Sequence, residues 1–223
     1  MLILDFDGVV LDSEPRLNAL LCGLLAEQGI SLSVEQALRR FTGVASAECL
    51  AGIERDFGVR LPGDLGERYH EASLALYASG ALPLLPGLVE LLDALRRPVA
   101  IASGSQRRKI EAGLRAHGLE ARFAGRIVSA HEAPRGKPHP DVYLEAARRC
   151  STRPADCIAV EDSPTGARAA AAAGIRVFGL IGIWDAASLA AAGAEPIQRL
   201  TDLLRRPELA PWWSPLQAVT PAP

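Results

Sequence analysis

Four short stretches of this chain place reactive side chains where chemistry is possible. Asp5 and Asp7 stand two residues apart, directly after Leu2-Ile3-Leu4 and just before Gly8 and Asp12. Carboxylates at that spacing, at the carboxyl end of a buried strand, can both point into one crevice. Ser103, in Ala102-Ser103-Gly104-Ser105, offers a hydroxyl and free backbone N–H groups ahead of a helix, the makings of a phosphate cradle. Lys137 lies in Gly136-Lys137-Pro138, with Pro140 and Asp141 following, and the prolines predict a stiff, extended segment that gives the ammonium a fixed direction. Glu161-Asp162-Ser163 puts two more acids at the end of an apolar run.

Each stretch alone also fits a plain structural role: an Asp turn, a Ser N-cap, a solvated loop lysine, an acidic helix start. Their order along the chain argues for more. Acid pair, hydroxyl, lysine and acid pair each fall at the end of an expected strand. Lysine is also rare here: among 24 basic residues only Lys109 and Lys137 are lysines. A lysine inside a motif therefore asks for a compact ammonium that arginine does not supply.

The elements that must position these groups are legible in the pattern. Leu2–Leu4 reads as a strand. From Glu14 to about Gly80 the apolar spacing is helical, with segments over residues 14–29, 34–41, 46–57 and 66–79 and no convincing strand. From Pro86 the pattern alternates. Strands are expected at Val99–Ala102, Arg126–Val128, Cys157–Val160 and Ile175–Phe178, with helices at 87–96, 106–117, 141–150 and 164–173. That alternation predicts an α/β fold: a doubly wound, Rossmann-like parallel sheet core with an inserted all-helical domain. The expected division is residues 1–13 and 83–223 for the core and 14–82 for the helical unit. Inserted after the first strand, that unit would lie over the strand ends as a lid. Beyond Leu180 no motif is recognisable, and Pro207–Pro223 predicts an irregular tail docked by Trp212 and Trp213.

Composition narrows the class. The 223 residues are 49% hydrophobic and 22% charged, with a net charge of −2. These values suit a soluble globular protein and carry no footprint for nucleic acid or an anionic membrane. No apolar run reaches the roughly 18 residues that span a bilayer. The first acid arrives at Asp5, so no secretory leader is expected and the cytoplasm is the expected compartment. Cys22, Cys49, Cys150 and Cys157 form no metal-type spacing and read as small apolar side chains.

With these residues in view, the chain resembles the haloacid dehalogenase superfamily of phosphohydrolases. Asp5-Phe6-Asp7-Gly8-Val9 matches the first motif, Ser103 the second, Lys137 the third and Glu161-Asp162 the fourth. The helical insertion resembles the small cap of the branch holding beta-phosphoglucomutase, phosphoglycolate phosphatase and sugar-phosphate phosphatases. The resemblance implies Asp5 as nucleophile and Asp7 as general acid and base. It implies Ser103, Gly104 and Lys137 as phosphate-binding groups. It implies Mg²⁺ held by Asp5, the Asp7 carbonyl and Asp162, with Glu161 either a ligand or the orienter of a metal-bound water. A cation fits the charge balance, because two unit charges 4 Å apart repel by about 4 kcal/mol at an effective dielectric of 20.

The implied function is Mg²⁺-dependent hydrolysis of a small phosphate ester, a sugar phosphate or a phosphoglycolate-like acid, through an aspartyl-phosphate. No nucleic acid or membrane partner is expected, and the default state is a monomer. The alternative is a phosphomutase of the beta-phosphoglucomutase type. Against it, the mutase's cap-side histidine aligns with Leu17 and its phosphate-gripping arginine with Ser46, though Arg39 or Arg40 stands close by. A dehalogenase would need neither Asp7 nor Asp162, and a non-catalytic binding protein would not need four intact motifs. Glu14, Arg16 and Gly43 are the candidate specificity residues.

Overall fold

A computed structural model describes residues 1–41 and 46–214, with Ser46 and Ala47 described by their backbone alone. Gly43, one of the expected specificity residues, lies outside the described residues, as do Thr42 and Val44.

The chain runs β1 (Leu2–Leu4), α1 (Glu14–Ala26), α2 (Val34–Phe41), α3 (Ser46–Phe57), α4 (Leu65–Ala78), α5 (Leu88–Ala94) and β2 (Val99–Ser103). It continues through α6 (Arg107–Ala116), α7 (Glu120–Phe123), β3 (Ile127–Ser129), α8 (Asp141–Arg149), β4 (Ile158–Glu161) and α9 (Pro164–Ala172). It ends with β5 (Arg176–Leu180), α10 (Ala186–Ala191), β6 (Ala194–Ile197) and two 3₁₀ segments, Leu200–Arg205 and Pro207–Trp212. The six strands form one parallel sheet in the order β3-β2-β1-β4-β5-β6. This is the doubly wound α/β fold, in which the winding reverses beside β1.

Both faces of the sheet are covered, which is why β1 is apolar at every position. Leu2 and Leu4 point to one face, with Val99, Ile101, Val160 and Phe178. Ile3 points to the other, with Ala100, Ala102 and Ala159. The second face is lined by small residues, so the Ala-rich α9 packs close to it and buries Ala167, Ala169 and Ala170.

The helices α1 to α4 carry a cluster of their own, from Leu21, Leu24 and Leu25 through Phe41 to Ile53 and Leu65. Leu17, Tyr77 and Leu82 instead join the cluster beneath the sheet. The two chain crossings to this helical segment run side by side: the Asp12 N–H donates to Pro83 O at 2.9 Å and the Leu85 N–H to Val10 O at 3.0 Å.

The sequence missed the end of the sheet. The chain after Leu180 adds α10 and the edge strand β6, which contains Glu195 and Pro196; an edge strand tolerates both. Of the expected irregular tail, Pro207–Trp212 winds into a 3₁₀ turn and Trp213 is buried in the main core, while residues 215–223 lie outside the described residues. Among the described residues no helix is long and apolar enough to cross a membrane.

Candidate active site

The sequence-predicted groups meet at the carboxyl ends of β1, β2 and β4. A cleft of about 510 Å³ opens there, and Asp5, Asp7, Ser103, Gly104, Lys137 and Asp162 all line it. The volume falls within the usual range for a small-molecule site.

Asp5 directly follows β1, and its N–H donates to Val160 O at 3.0 Å, which ties it to the end of β4. The next residues wind tightly. Phe6 O accepts from the N–H groups of both Val10 and Leu11. Gly8 sits at φ +77°, and a Cβ there would fall 1.9 Å from Asp162 Oδ2. The motif glycine is thus required twice, by its backbone angle and by the carboxylate pressed against it.

Lys137 joins two acids. Its Nζ stands 2.6 Å from Glu161 Oε1 and 3.0 Å from Asp5 Oδ1. The Asp5 contact is an ion pair without hydrogen-bond geometry, so this buried oxygen has no hydrogen-bond donor. Burial works against the ammonium, but Asp5 and Glu161 outweigh it and hold Lys137 above its ordinary range. The extended segment expected around Lys137 is instead a turn, closed by the His139 N–H donating to Gly136 O at 3.0 Å. Proline fixes one torsion, not the direction of the chain.

Glu161 is fully buried. Besides Lys137 it accepts from Tyr143 at 2.6 Å on Oε1 and from Ser163 at 3.2 Å on Oε2. Gly166 is packed against it, since a Cβ there would lie 1.9 Å from Oε1. Asp5, Glu161 and Asp162 each offer an oxygen within 4.8 Å of the others. Burial and the Glu161 charge push Asp5 well above the carboxylate range; burial and the charges of Asp5 and Glu161 do the same to Asp162.

Asp7 is held by three hydroxyls. Ser13 and Tyr77 donate to its Oδ1, and Ser105 donates to its Oδ2 at 2.6 Å. Ser105 is steadied from behind: its N–H donates to Ser103 Oγ at 3.0 Å, and its carbonyl accepts from Ser129.

Of the expected specificity residues, Glu14 lines the cleft and accepts from the Asn18 amide at 2.9 Å. Arg16 is exposed and does not line it. It sits one residue beyond Pro15 on α1, where the helix turns it off the cleft side shared by Glu14, Leu17 and Asn18. Several residues of the site were missed. Tyr77, Tyr143 and Ser13 were not singled out, and Ser105 appeared only beside Ser103. Lys109 and His70 carried no motif at all, although the scarcity of lysine marked Lys109 as well as Lys137.

A doubly wound sheet with an acid pair, a hydroxyl, a lysine and a second acid pair at its strand ends defines a phosphohydrolase-type site. Comparison with known proteins agrees. Residues 1–174 match the model of the haloacid dehalogenase-like hydrolases, and the chain belongs to that family. The 6-phosphogluconate phosphatase of Escherichia coli K12 is 28% identical over 174 residues, 78% of this chain and 79% of its own. The fructose-1-phosphate phosphatase YqaB of the same organism is 30% identical over 176 residues, 78% of this chain and 92% of its own. Among solved structures, a haloacid dehalogenase-like protein of Agrobacterium tumefaciens superposes with a TM-score of 0.81 at 33% identity, covering 92% of this chain and 95% of that one. Within the family, the chain is a phosphatase, a phosphoric monoester hydrolase.

Proposed function

We propose that the protein hydrolyses a small phosphorylated metabolite, a sugar phosphate or a phosphorylated acid, with Mg²⁺ and through an aspartyl-phosphate on Asp5. The observation that carries this reading is the buried bridge Asp5–Lys137–Glu161 in the same cleft as the separately anchored Asp7. One carboxylate is held by the Lys137 ammonium at the end of β1, where it can attack; the other is oriented by hydroxyls for proton transfer.

The donor set fits a hard divalent cation. Asp5 and Asp162 crowd their charges together, Asp5 Oδ1 is buried without a donor, and all the available ligands are oxygens. Asp5, Asp162 and the Asp7 carbonyl would hold Mg²⁺. Bound there, Mg²⁺ would neutralise charge on the carboxylates and on the phosphoryl oxygens. Glu161 has both oxygens engaged by Lys137, Tyr143 and Ser163, so in this reading it positions Lys137 and is not itself a ligand.

In the first step Asp5 forms a bond to phosphorus, the ester P–O bond breaks, and protonated Asp7 gives its proton to the leaving oxygen. In the second step Asp7 takes a proton from water, the water oxygen bonds to phosphorus, and the Asp5–phosphorus bond breaks to release phosphate. Ser103, the Gly104 N–H and Lys137 would hold the phosphoryl oxygens. A hydroxyl both donates and accepts, so Ser13, Tyr77 and Ser105 can follow Asp7 through both protonation states. Residues 14–82 would act as the cap over the cleft, with 1–13 and 83–223 as the core. The reading includes a monomeric protein working in the cytoplasm.

The test is turnover of a panel of phosphate esters with Mg²⁺, by the native protein and by Asp5→Asn. We expect hydrolysis by the first and loss of at least about a hundredfold in the second, with the circular dichroism spectrum unchanged. Greater residual activity would remove Asp5 from the role of nucleophile.

A further inference from the structure

The chain has two lysines and both line the cleft, in opposite electrostatic settings. Lys137 sits between two carboxylates. Lys109, on α6, is also buried, with 7% of its surface exposed, yet among the described residues it makes no ion pair. Its Nζ lies 3.1 Å from His70 Nδ1 and 5.5 Å from the centre of the Tyr69 ring, both on α4. A lysine ammonium has only donors, so Nδ1 accepts and the ring proton of His70 belongs on Nε2. Two further Lys109 N–H groups and the His70 Nε2–H then remain as donors. A desolvated ammonium with no carboxylate paired to it is costly to keep, and here burial, opposed by the Asp7 charge, pulls it down to about 8. The charges that act on it are those of Asp7, the acid on the leaving-group side, and Arg108.

We propose that Lys109 and His70 form a second anion subsite, which takes a carboxylate or second phosphate on the part of the substrate that leaves. This rests on the phosphatase reading above and narrows the substrate class to esters with a second anionic group. Apolar side chains, Leu17 and Leu21 among them, wall the same cleft and keep such an ion pair poorly hydrated, which favours a full charge over a hydroxyl. Tyr69 holds the ammonium from the side through its ring face and supplies no competing anion.

Two matched pairs of esters read the subsite. 6-Phosphogluconate and sorbitol 6-phosphate differ at one end by carboxylate against hydroxymethyl. Fructose 1,6-bisphosphate and fructose 1-phosphate differ by one phosphate. In at least one pair the charged member should have a kcat/KM about tenfold or more higher, the scale of one charge-assisted hydrogen bond. Lys109→Met should bring that ratio to within about threefold of unity, and Lys109→Arg should keep part of it. Lys109→Gln serves if Lys109→Met does not fold. The pair that responds tells carboxylate from phosphate. Calorimetric binding of the same four esters to Asp5→Asn gives the preference without turnover. If no ester is hydrolysed but the binding preference depends on Lys109, the phosphatase reading fails and the subsite stands. Equal handling of both members in both pairs, or a preference untouched by Lys109→Met and Lys109→Gln, overturns the subsite while leaving the phosphatase reading intact.

Discussion

The hydroxyl of Tyr77 on α4 donates to the carboxylate of Asp7, joining the helical segment to the acid that follows β1. The tyrosine ring also stacks on Phe6, with centroids 5.9 Å apart, and belongs to the apolar cluster beneath the sheet. Burial and the Asp7 charge push its phenol well above its ordinary value of 10, so it keeps its proton for the bond to the Asp7 carboxylate. The last helix of the inserted segment is therefore also part of the floor of the site.

Tyr77→Phe removes that donor and keeps the ring. A hydrogen bond to a charged group contributes roughly 1.5–3 kcal/mol. We expect kcat to fall about tenfold or more, with a shifted kcat–pH profile and a smaller change in KM. Kinetics on any accepted ester check this, and an unmoved profile would show that Ser13 and Ser105 orient Asp7 without help.

Lys137→Arg should be strongly impaired, although this chain uses arginine almost everywhere else. The ammonium fits between Glu161 and Asp5 at 2.6 and 3.0 Å, over the ring of Tyr143. A planar fork of five donors does not fit that gap. We expect at least about a hundredfold loss of kcat/KM. Near-native kinetics would make Lys137 replaceable by any cation.

Chelation should abolish turnover and Mg²⁺ should restore it, while Ca²⁺ should inhibit. Calcium takes more ligands in a looser shell, which draws Asp5 out of line. Mg²⁺ should also raise the melting temperature, because a ligand that binds only the folded state stabilises it. Asp162→Asn should lose that shift. Full activity in chelator would remove the metal from the mechanism.

The pH dependence of the Lys109 subsite has a definite sign. Burial lowers Lys109 to about 8, with Asp7 opposing and Arg108 reinforcing. His70 is lowered by burial and by Lys109, and Tyr69 is raised by burial, so both are uncharged near pH 8. Of Lys109, His70 and Tyr69, only Lys109 changes charge there. Its cation is present below that pH and lost above it. We expect the ratio of kcat/KM for the preferred charged-ended ester to that for its neutral-ended partner to fall as pH rises through about 8, because ionisations of the reacting groups act on both esters and cancel in the ratio. Parallel profiles for the two would contradict this.

What could be read beforehand follows from the range of the interactions. The bounds of α2 and α3 are local, set by apolar spacing, and the structure has them at Val34–Phe41 and Ser46–Phe57 as expected. The strand-end motifs were legible because a parallel sheet brings such ends together whatever the loops do. Lys109 was not legible, because Arg107-Arg108-Lys109 looks like a solvated basic run. It is the packing of α4, about 40 residues away, that covers it with His70. Tyr77 was hidden by its ring, which satisfies the apolar pattern whether or not the hydroxyl has a task.

The protein should release phosphate and not isomerise its substrate. A mutase must pass the aspartyl phosphoryl group to a hydroxyl of a sugar monophosphate and not to water, which requires gripping that sugar by the phosphate it already carries. Arginine does this well through its bidentate fork. Among the described residues lining the cleft there is none. Arg39 is exposed and paired with Glu35 at 2.8 Å. Arg40 is paired with Asp56 and lies over the Phe41 ring. Leu17, where the mutase has its gating histidine, lines the cleft and joins the core, with no atom to share a proton with Asp7. Lys109 can hold a second anion, but as a point charge it does not fix the plane and turn of a phosphate as a fork does. The sugar can then leave, and water becomes the second acceptor. Beta-glucose 1-phosphate with a trace of glucose 1,6-bisphosphate decides between the two, with products followed by phosphorus NMR. We expect inorganic phosphate from either ester and no accumulation of glucose 6-phosphate. Isomerisation faster than phosphate release would reverse the assignment and make Lys109 the grip of a mutase.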